Sequence, residues 1–233
     1  MVVTGPVDRP RGGPQRIPRP ASNRPGARAP WHGSEHLTLG PSLDQVRAAL
    51  AAAGPVRRAP AELEGARAAA VLVPLYEHEG EVWVVLTRRA AHLRSHQGEV
   101  SFPGGGRDGD EALEWTALRE AQEEIGLDPS SVEVLCELDH LSTVTSGSFI
   151  VPFVGLIAER PVDLVPSPDE VALILHVPLA ELLAEGVYRE ELWAFDEAER
   201  PIFFFELVGD TVWGATASML RRLLALVLGV RID

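Results

Sequence analysis

The chain reads as a mixed α/β domain, a mixed β-sheet covered by helices. Segments with apolar residues at helical spacing interleave with short β-branched runs, and two of those runs are joined by a polar tip, as in an antiparallel hairpin. That interleaving points away from an all-β sandwich and away from a helix bundle. The 233 residues, 45% of them apolar, suffice for one sizeable core.

Residues 1–30 hold six Arg against a single acid, with seven Pro and four Gly, a local charge of +5 beside −18 for the remaining 203 residues. Too little apolar surface is present there to offset the entropy of ordering. Residues 1–36 are therefore expected to form a disordered Arg/Pro-rich arm, and 37–233 the folded domain. A basic arm touching RNA or an acidic partner is the alternative reading of the same stretch.

In the folded part, Ser42 and Gln45 make a capping-box pattern ahead of Leu43, Val46 and Leu50, which predicts an amphipathic helix over Ser42–Ala53, stopped by Gly54-Pro55. Ala68–Leu75 and Val82–Thr87 are predicted strands around the polar tip Glu77–Glu81, and Ala90–Pro103 a loop rich in His, Arg and Gly. Glu111–Ile125 contains neither Pro nor Gly and predicts a helix with Asp110 at its N-cap and Gly126 at C′. Strands follow at Val132–Leu138, Phe149–Ile157 and Val171–Val177, then a short helix at Leu179–Ala184. A strand at Pro201–Leu207 and a helix at Thr216–Leu228 close the chain.

Net charge is −13, and all 21 basic residues are arginine. An acidic chain is a poor general binder of nucleic acid, because phosphate-backbone affinity comes from neutralising cations. Any anionic ligand needs a local inversion of sign. The lone Cys136 excludes an internal disulfide and a multi-cysteine zinc site and suits a reducing compartment; in its apolar run it reads as a small packed residue. The N-terminus has no apolar signal region, and stretches such as Leu223–Val230 fall short of the ~18–20 residues that span a bilayer. A cytoplasmic protein without membrane partners is expected.

The chemistry concentrates in 104–127. Asp108 to Glu124 carries seven carboxylates opposed only by Arg119. Glu120, Glu123 and Glu124 stand at i, i+3 and i+4 on one helix face, where like charges destabilise an isolated helix by roughly 0.2–0.5 kcal/mol per pair. A hard divalent cation would offset that repulsion, since Mg²⁺ takes oxygen ligands, often one or two carboxylates plus substrate phosphates. A solvated acidic face is the plain alternative. Gly104-x-Gly106-x-x-Gly109 also satisfies a dinucleotide-binding fingerprint, but Asp108, Asp110 and Glu111 place negative charge where a pyrophosphate would meet a helix N-terminus, and a long loop separates it from the preceding strand.

Reading outward, the chain runs Gly105, five residues, Glu111, seven residues, then Arg119-Glu120-Ala121-Gln122-Glu123-Glu124-Ile125-Gly126-Leu127. This resembles the signature of the Nudix hydrolases at all its fixed positions; Ala121 is smaller than the usual aliphatic and is expected to soften packing under the helix. The resemblance implies an α/β/α sandwich and hydrolysis of a diphosphate linked to another moiety, with Mg²⁺ or Mn²⁺ as cofactor. It further implies Glu120 and Glu124 as the principal metal ligands, and Glu123 as a further ligand or base. Arg119 would orient the glutamates, and Glu111 would steady the loop.

Upstream, Leu86-Thr87-x-Arg89-Ala90-x3-Arg94-x3-Gly98-x3-Phe102-Pro103-Gly104-Gly105 resembles the pattern that marks coenzyme A pyrophosphatases within that family, with Val85 in place of its first Leu. Weaker echoes lie at Pro168–Val171, Val177–Leu179 and Trp213–Ala217. Coenzyme A or an acyl-coenzyme A is then the expected small-molecule substrate, split to adenosine 3′,5′-bisphosphate and (acyl-)4′-phosphopantetheine. Arg88, Arg89 and Arg94, with His92 and His96, form the densest cationic cluster beside the acidic helix and, with Gly104 and Gly105, are the expected substrate contacts; arginine suits phosphate through paired donors. Glu170, at a loop-to-strand junction, is the expected late-loop base or extra ligand. ADP-ribose, nucleotide sugars and dinucleoside polyphosphates are the alternative substrates, a non-catalytic ligand-sensing module is the alternative of another class, and monomer and homodimer are both compatible with the sequence.

Overall fold

The computed structural model describes residues 10–33, 40–58, 67–143, 148–195 and 198–232. Expectations for 1–9 and 34–39 lie outside the described residues. The elements run β1 (Arg24–Pro25), α1 (Leu43–Ala51), β2 (Arg67–His78), β3 (Glu81–Arg89), β4 (Val100–Ser101), β5 (Gly104–Gly106), α2 (Leu113–Ile125), β6 (Val132–Glu137), β7 (Leu141–Thr143), β8 (Ser148–Ile157), β9 (Val171–Pro178), α3 (Leu179–Leu183), β10 (Tyr188–Phe195), β11 (Ala198–Leu207), β12 (Asp210–Trp213) and α4 (Gly214–Val227).

An eight-stranded sheet forms the centre, in the order β4-β3-β2-β8-β6, with β5 also on β2, β7 on β8 and β9 on β3. The β2–β3 hairpin is antiparallel, as expected, whereas β2 and β8 run parallel from Arg67↔Ser148 to Leu75↔Leu156, which makes the sheet mixed. Alternation along the strands separates two cores. Ala70, Leu72, Trp83 and Val85 pack under α2 against Ala117, Ala121 and Ile125. Val71, Val73, Val82, Val84 and Leu86 face the other way, onto Val46 and Leu50 of α1 and the apolar side of α4. The result is the expected α/β/α sandwich. Ala121 is fully buried in the first core.

A second, four-stranded sheet, β1-β10-β11-β12, lies on the α1/α4 side, with Phe205, Leu207 and Val212 in the larger core. Only Pro201–Leu207 of it was expected as strand. The charged stretch Arg189-Glu190-Glu191 sits within β10, where Arg189 pairs with Glu191 and Glu206 and so satisfies its charge inside the sheet.

Residues 10–33 correct the expectation of a separate disordered arm. Gly12 N–H donates to Leu207 O at 2.7 Å, Arg11 pairs with Glu181 at 2.5 Å and Arg24 with Glu199 at 2.5 Å, and Trp31 is buried against Tyr188 and Phe205. The physical reason is a partner surface that composition does not display. Arg19 lies 5.8 Å from the centre of the Phe204 ring and pairs with Glu191 of β10, so Arg11, Arg19 and Arg24 meet acids of α3, β10 and β11 respectively. Among the described residues no helix is long and apolar enough to cross a membrane.

Candidate active site

The acidic helix is seated by its ends and by two glycines. Helix α2 starts at Leu113 with Ala112 at its N-cap, and no side chain caps it. This replaces the expected Asp110 cap, because Glu111, directly before the helix, is engaged elsewhere. Its Oε1 accepts from Asp108 N–H at 3.1 Å, from Thr116 Oγ1 at 2.9 Å and from Arg119 Nη2 at 2.9 Å. These donors, Arg119 first, hold the Glu111 carboxyl down to about 2. At the far end Gly126 takes φ 70°, the left-handed C-terminal conformation expected for it.

Strand β5 brings Gly104–Gly106 alongside β2, and neither Gly104 nor Gly105 has room for a side chain. A Cβ at Gly104 would stand 2.4 Å from Ala70 O, and one at Gly105 2.5 Å from the Glu120 carboxylate. The glycines thus let the loop pass directly over Glu120 and Glu124.

Arg119 is the hub of the acidic face. Its Nη1 lies 3.0 Å from Glu120 Oε1 and donates to Glu123 Oε2 at 3.1 Å, while Nη2 reaches Glu111 and Gly106 O at 3.2 Å. Glu120 is held above the ordinary carboxyl range by burial, with Glu123 and Glu170 adding to the effect and Arg119 opposing it. Glu124 is 3% exposed, and burial pushes its carboxyl up to about 8 against the opposing Arg89 guanidinium. Its Oε2 has no hydrogen-bond partner among the described residues, and neither does the buried Nε of Arg89, whose Nη1 stands 3.8 Å from Glu124 Oε1. Glu123, 58% exposed, projects outward from this pair.

The expected site residues divide. Glu120, Glu124, Arg119 and Arg89 are brought together with Gly104 and Gly105, and Glu170 is close enough to raise both carboxyls. The loop carrying Glu170 is pinned across the end of α2 by Ser167 N–H to Glu124 O at 2.8 Å, and Ala90 N–H donates to Glu170 O at 2.8 Å. Arg88 is not brought to the site. Successive strand residues face opposite sides. Arg89 turns toward α2, whereas Arg88 turns to the other core and forks onto buried Asp210 at 2.7 and 2.5 Å. Arg94 is exposed and forms no ion pair among the described residues, His96 bonds Glu99 at 2.9 Å, and His92 bonds Asp169 O at 3.0 Å. Nothing in the sequence around Asp210 marks it as the partner of Arg88; the extension of β3 by two residues past Thr87 is what separates Arg88 from Arg89.

Among the described residues no three acidic or histidine side chains converge tightly enough to enclose an ion by themselves. The donor set nevertheless suits a hard divalent cation that takes only part of its shell from protein: two carboxylates one helical turn apart, one with a buried free oxygen, beside a cation that would meet a phosphate.

Fold and site together define a loop–helix–loop hydrolase with an acidic face for diphosphate chemistry. The NUDIX domain model matches residues 66–196, and the chain belongs to the Nudix family, whose hydrolases act on pyrophosphate bonds and generally need divalent cations such as Mg²⁺ or Mn²⁺. It is 40% identical over 158 residues to the uncharacterised Nudix hydrolase NudL of Pectobacterium atrosepticum, covering 67% of this chain and 81% of that one. It is likewise 40% identical over 167 residues to NudL of Citrobacter koseri, covering 71% and 84%. Among solved structures it is similar to the Nudix hydrolase RenU of M. smegmatis, with a TM-score of 0.44, 25% identity and coverage of 50% and 73%.

Proposed function

We propose that this Nudix hydrolase cleaves the diphosphate of coenzyme A or its thioesters, using Mg²⁺ or Mn²⁺, to adenosine 3′,5′-bisphosphate and (acyl-)4′-phosphopantetheine. The observation that supports the diphosphate reading is the pair of buried atoms without a partner, Glu124 Oε2 and Arg89 Nε, on two side chains that approach to 3.8 Å. A buried polar atom left without a hydrogen-bond partner is costly, and Glu124 and Arg89, which face each other at 3.8 Å, each keep one. A cation on the first and a phosphate oxygen on the second satisfy both at once. Coenzyme A is favoured over other diphosphates by the run Leu86–Gly105, which supplies that arginine together with Gly104 and Gly105.

In this reading Glu120 and Glu124 hold the cation, which when bound neutralises the diphosphate and makes a bound water more acidic. Arg119 orients Glu120 and Glu123 through one nitrogen, Nη1, which stands 3.0 Å from a carboxylate oxygen of Glu120 and donates to Glu123 at 3.1 Å. Arg89 donates to a diphosphate oxygen. Glu170, close to both ligands and on a pinned loop, takes the proton of the attacking water. The water oxygen bonds to one phosphorus, the bridging P–O bond breaks, and the leaving phosphate departs with the electron pair. Arg88 drops out of the substrate set, while Arg94 remains available on the loop's exposed edge.

The test is incubation with coenzyme A and Mn²⁺ or Mg²⁺ followed by mass analysis. Both expected products, abolished by a chelator, support the assignment. Cleavage of ADP-ribose or a nucleotide sugar with coenzyme A untouched overturns the substrate and keeps the chemistry; saturable binding without turnover of any of them overturns the enzyme.

A further inference from the structure

The N-terminal segment reaches the substrate loop through one side chain. Gln15 Oε1 accepts from Thr211 N–H of β12 at 2.9 Å. Its Nε2 donates to Asp210 Oδ1 at 2.7 Å and lies 3.2 Å from Gly98 O, to which it also donates. One carboxamide therefore bridges the first residues of β12 and the middle of the 90–103 loop. The approach is built for: Gly12 is bonded to Leu207 O, and Gly13 donates to Thr211 Oγ1 at 3.1 Å. A Cβ on Gly13 would lie 2.2 Å from Gln15 Oε1 and 2.5 Å from Asp210 Cα.

What Gln15 holds matters for the site. Residues 94–97 of the loop are exposed. Its ends are tied by Arg89 N–H to Glu99 O and Ala90 N–H to Glu170 O, and its near half by His92 to Asp169 O. The far half meets the second sheet at Gly98, through Gln15. Asp210, the other residue Gln15 touches, is the acid that anchors Arg88, whose neighbour Arg89 faces Glu124. The segment thus braces the side of the substrate loop opposite the catalytic helix.

We infer that residues 11–15 are an intramolecular brace and that Gln15 is a positioning residue, which holds the 90–99 loop in its substrate-receiving form and so sets affinity for the diphosphate substrate. The inference rests on the reading that this loop receives the substrate, whichever diphosphate that is. A loop released from its tether must be reordered by each substrate molecule, and that cost appears in binding rather than in the bond-breaking step.

The experiment compares the wild-type chain with Gln15→Leu, which keeps the volume and removes all three hydrogen bonds, and with Gly13→Ala, whose Cβ would crowd both Gln15 Oε1 and Asp210 Cα and so displaces the segment while leaving the Gln15 carboxamide itself in the chain. Each is assayed with the diphosphate that the wild type cleaves best, at saturating metal, and treated with trypsin under native conditions to follow cutting at exposed Arg94. The expected result is a KM raised about tenfold in both variants, kcat within about twofold of wild type, and faster cutting after Arg94. Unchanged KM and unchanged cutting overturn the brace. So does a loss of kcat that tracks a drop in melting temperature with KM constant, which marks a merely structural contact. If the wild type cleaves ADP-ribose and not coenzyme A, the substrate reading fails while the variant-to-wild-type ratio still decides the brace; if it only binds ligand, the Kd ratio and the Arg94 cutting decide it.

Discussion

Glu124→Gln separates what the site does from what it costs the fold. Glu124 is 3% exposed, and its carboxyl ionises at about 8 in the folded chain against 4.5 when free. A group whose folded value is raised contributes its full stability below the free value and loses it as the pH climbs toward the folded one. Each pH unit in that window removes about 1.4 kcal/mol, so in chelator near pH 7.5 the wild type has given up about 4 kcal/mol relative to acid. Glutamine keeps the shape and carries no charge. The variant should then exceed the wild type in chelator near pH 7.5 by about 2–4 kcal/mol, or roughly 4–16 °C for a chain of this size, with the difference vanishing near pH 4.5. Added Mn²⁺ should close the gap by stabilising the wild type alone. Turnover in the variant should fall by orders of magnitude, because a bound cation supplies several kcal/mol of charge stabilisation. Paired thermal melts with and without Mn²⁺ at the two pH values, together with product release, decide it. A variant less stable than wild type in chelator at pH 7.5, or one with full activity, refutes the assignment of Glu124 as a buried metal-holding carboxylate.

Three further outcomes follow from named contacts. Asp210→Ala leaves the half-buried Arg88 guanidinium without its carboxylate and should cost about 1–3 kcal/mol by urea unfolding; Arg88→Met in the same chain should recover at least half, and simple additivity of the two losses would sink the pairing. Burial holds the His176 imidazole down to about 4, with Tyr76 Oη 2.9 Å from its Nδ1, so its contribution is complete above pH 6.5 and lost as the pH falls toward 4, by up to about 3 kcal/mol; His176→Asn should flatten the unfolding free energy across that window, and an unchanged slope would be the contrary result. Gly126→Ala forces a side chain into φ 70° at the end of α2 and should lower stability by about 1–2 kcal/mol in a denaturation curve, where no change would show that the turn relaxes.

The parts of the site legible in sequence are those whose partners lie close along the chain. Arg119 meets Glu111 eight residues back and Glu123 four residues on, and both separations are what spacing on a loop and a helix can express. The central strands were legible for a similar reason, since continuous apolar runs such as 70–75 and 82–86 record burial on both faces. The second sheet was not, because β10 carries three consecutive charged residues, Arg189-Glu190-Glu191, whose place in a sheet depends on partners as distant as Glu206 of β11 and Arg19. Asp110 looked like a helix cap because cap preference is local, yet Glu111 beside it is recruited by Arg119 and the helix starts three residues later than Asp110.

Arg88 and Arg89 show where such reading stops. Side by side, they presented one cationic cluster for phosphate. Once β3 extends to residue 89, adjacency means opposition, and the two guanidiniums serve different layers of the sandwich: one 3.8 Å from Glu124, the other forked onto Asp210, 122 residues away. The N-terminal segment is the same case at larger scale, for its six arginines and seven prolines describe a chain that cannot fold by itself, while Glu181, Glu191 and Glu199 describe the surface it folds onto. Neither half of that complement carries information about the other until the topology places them together. A basic leader ahead of an acidic domain is therefore weak ground for inferring disorder when acids of the domain, here Glu181, Glu191 and Glu199, stand where arginines of the leader can pair with them.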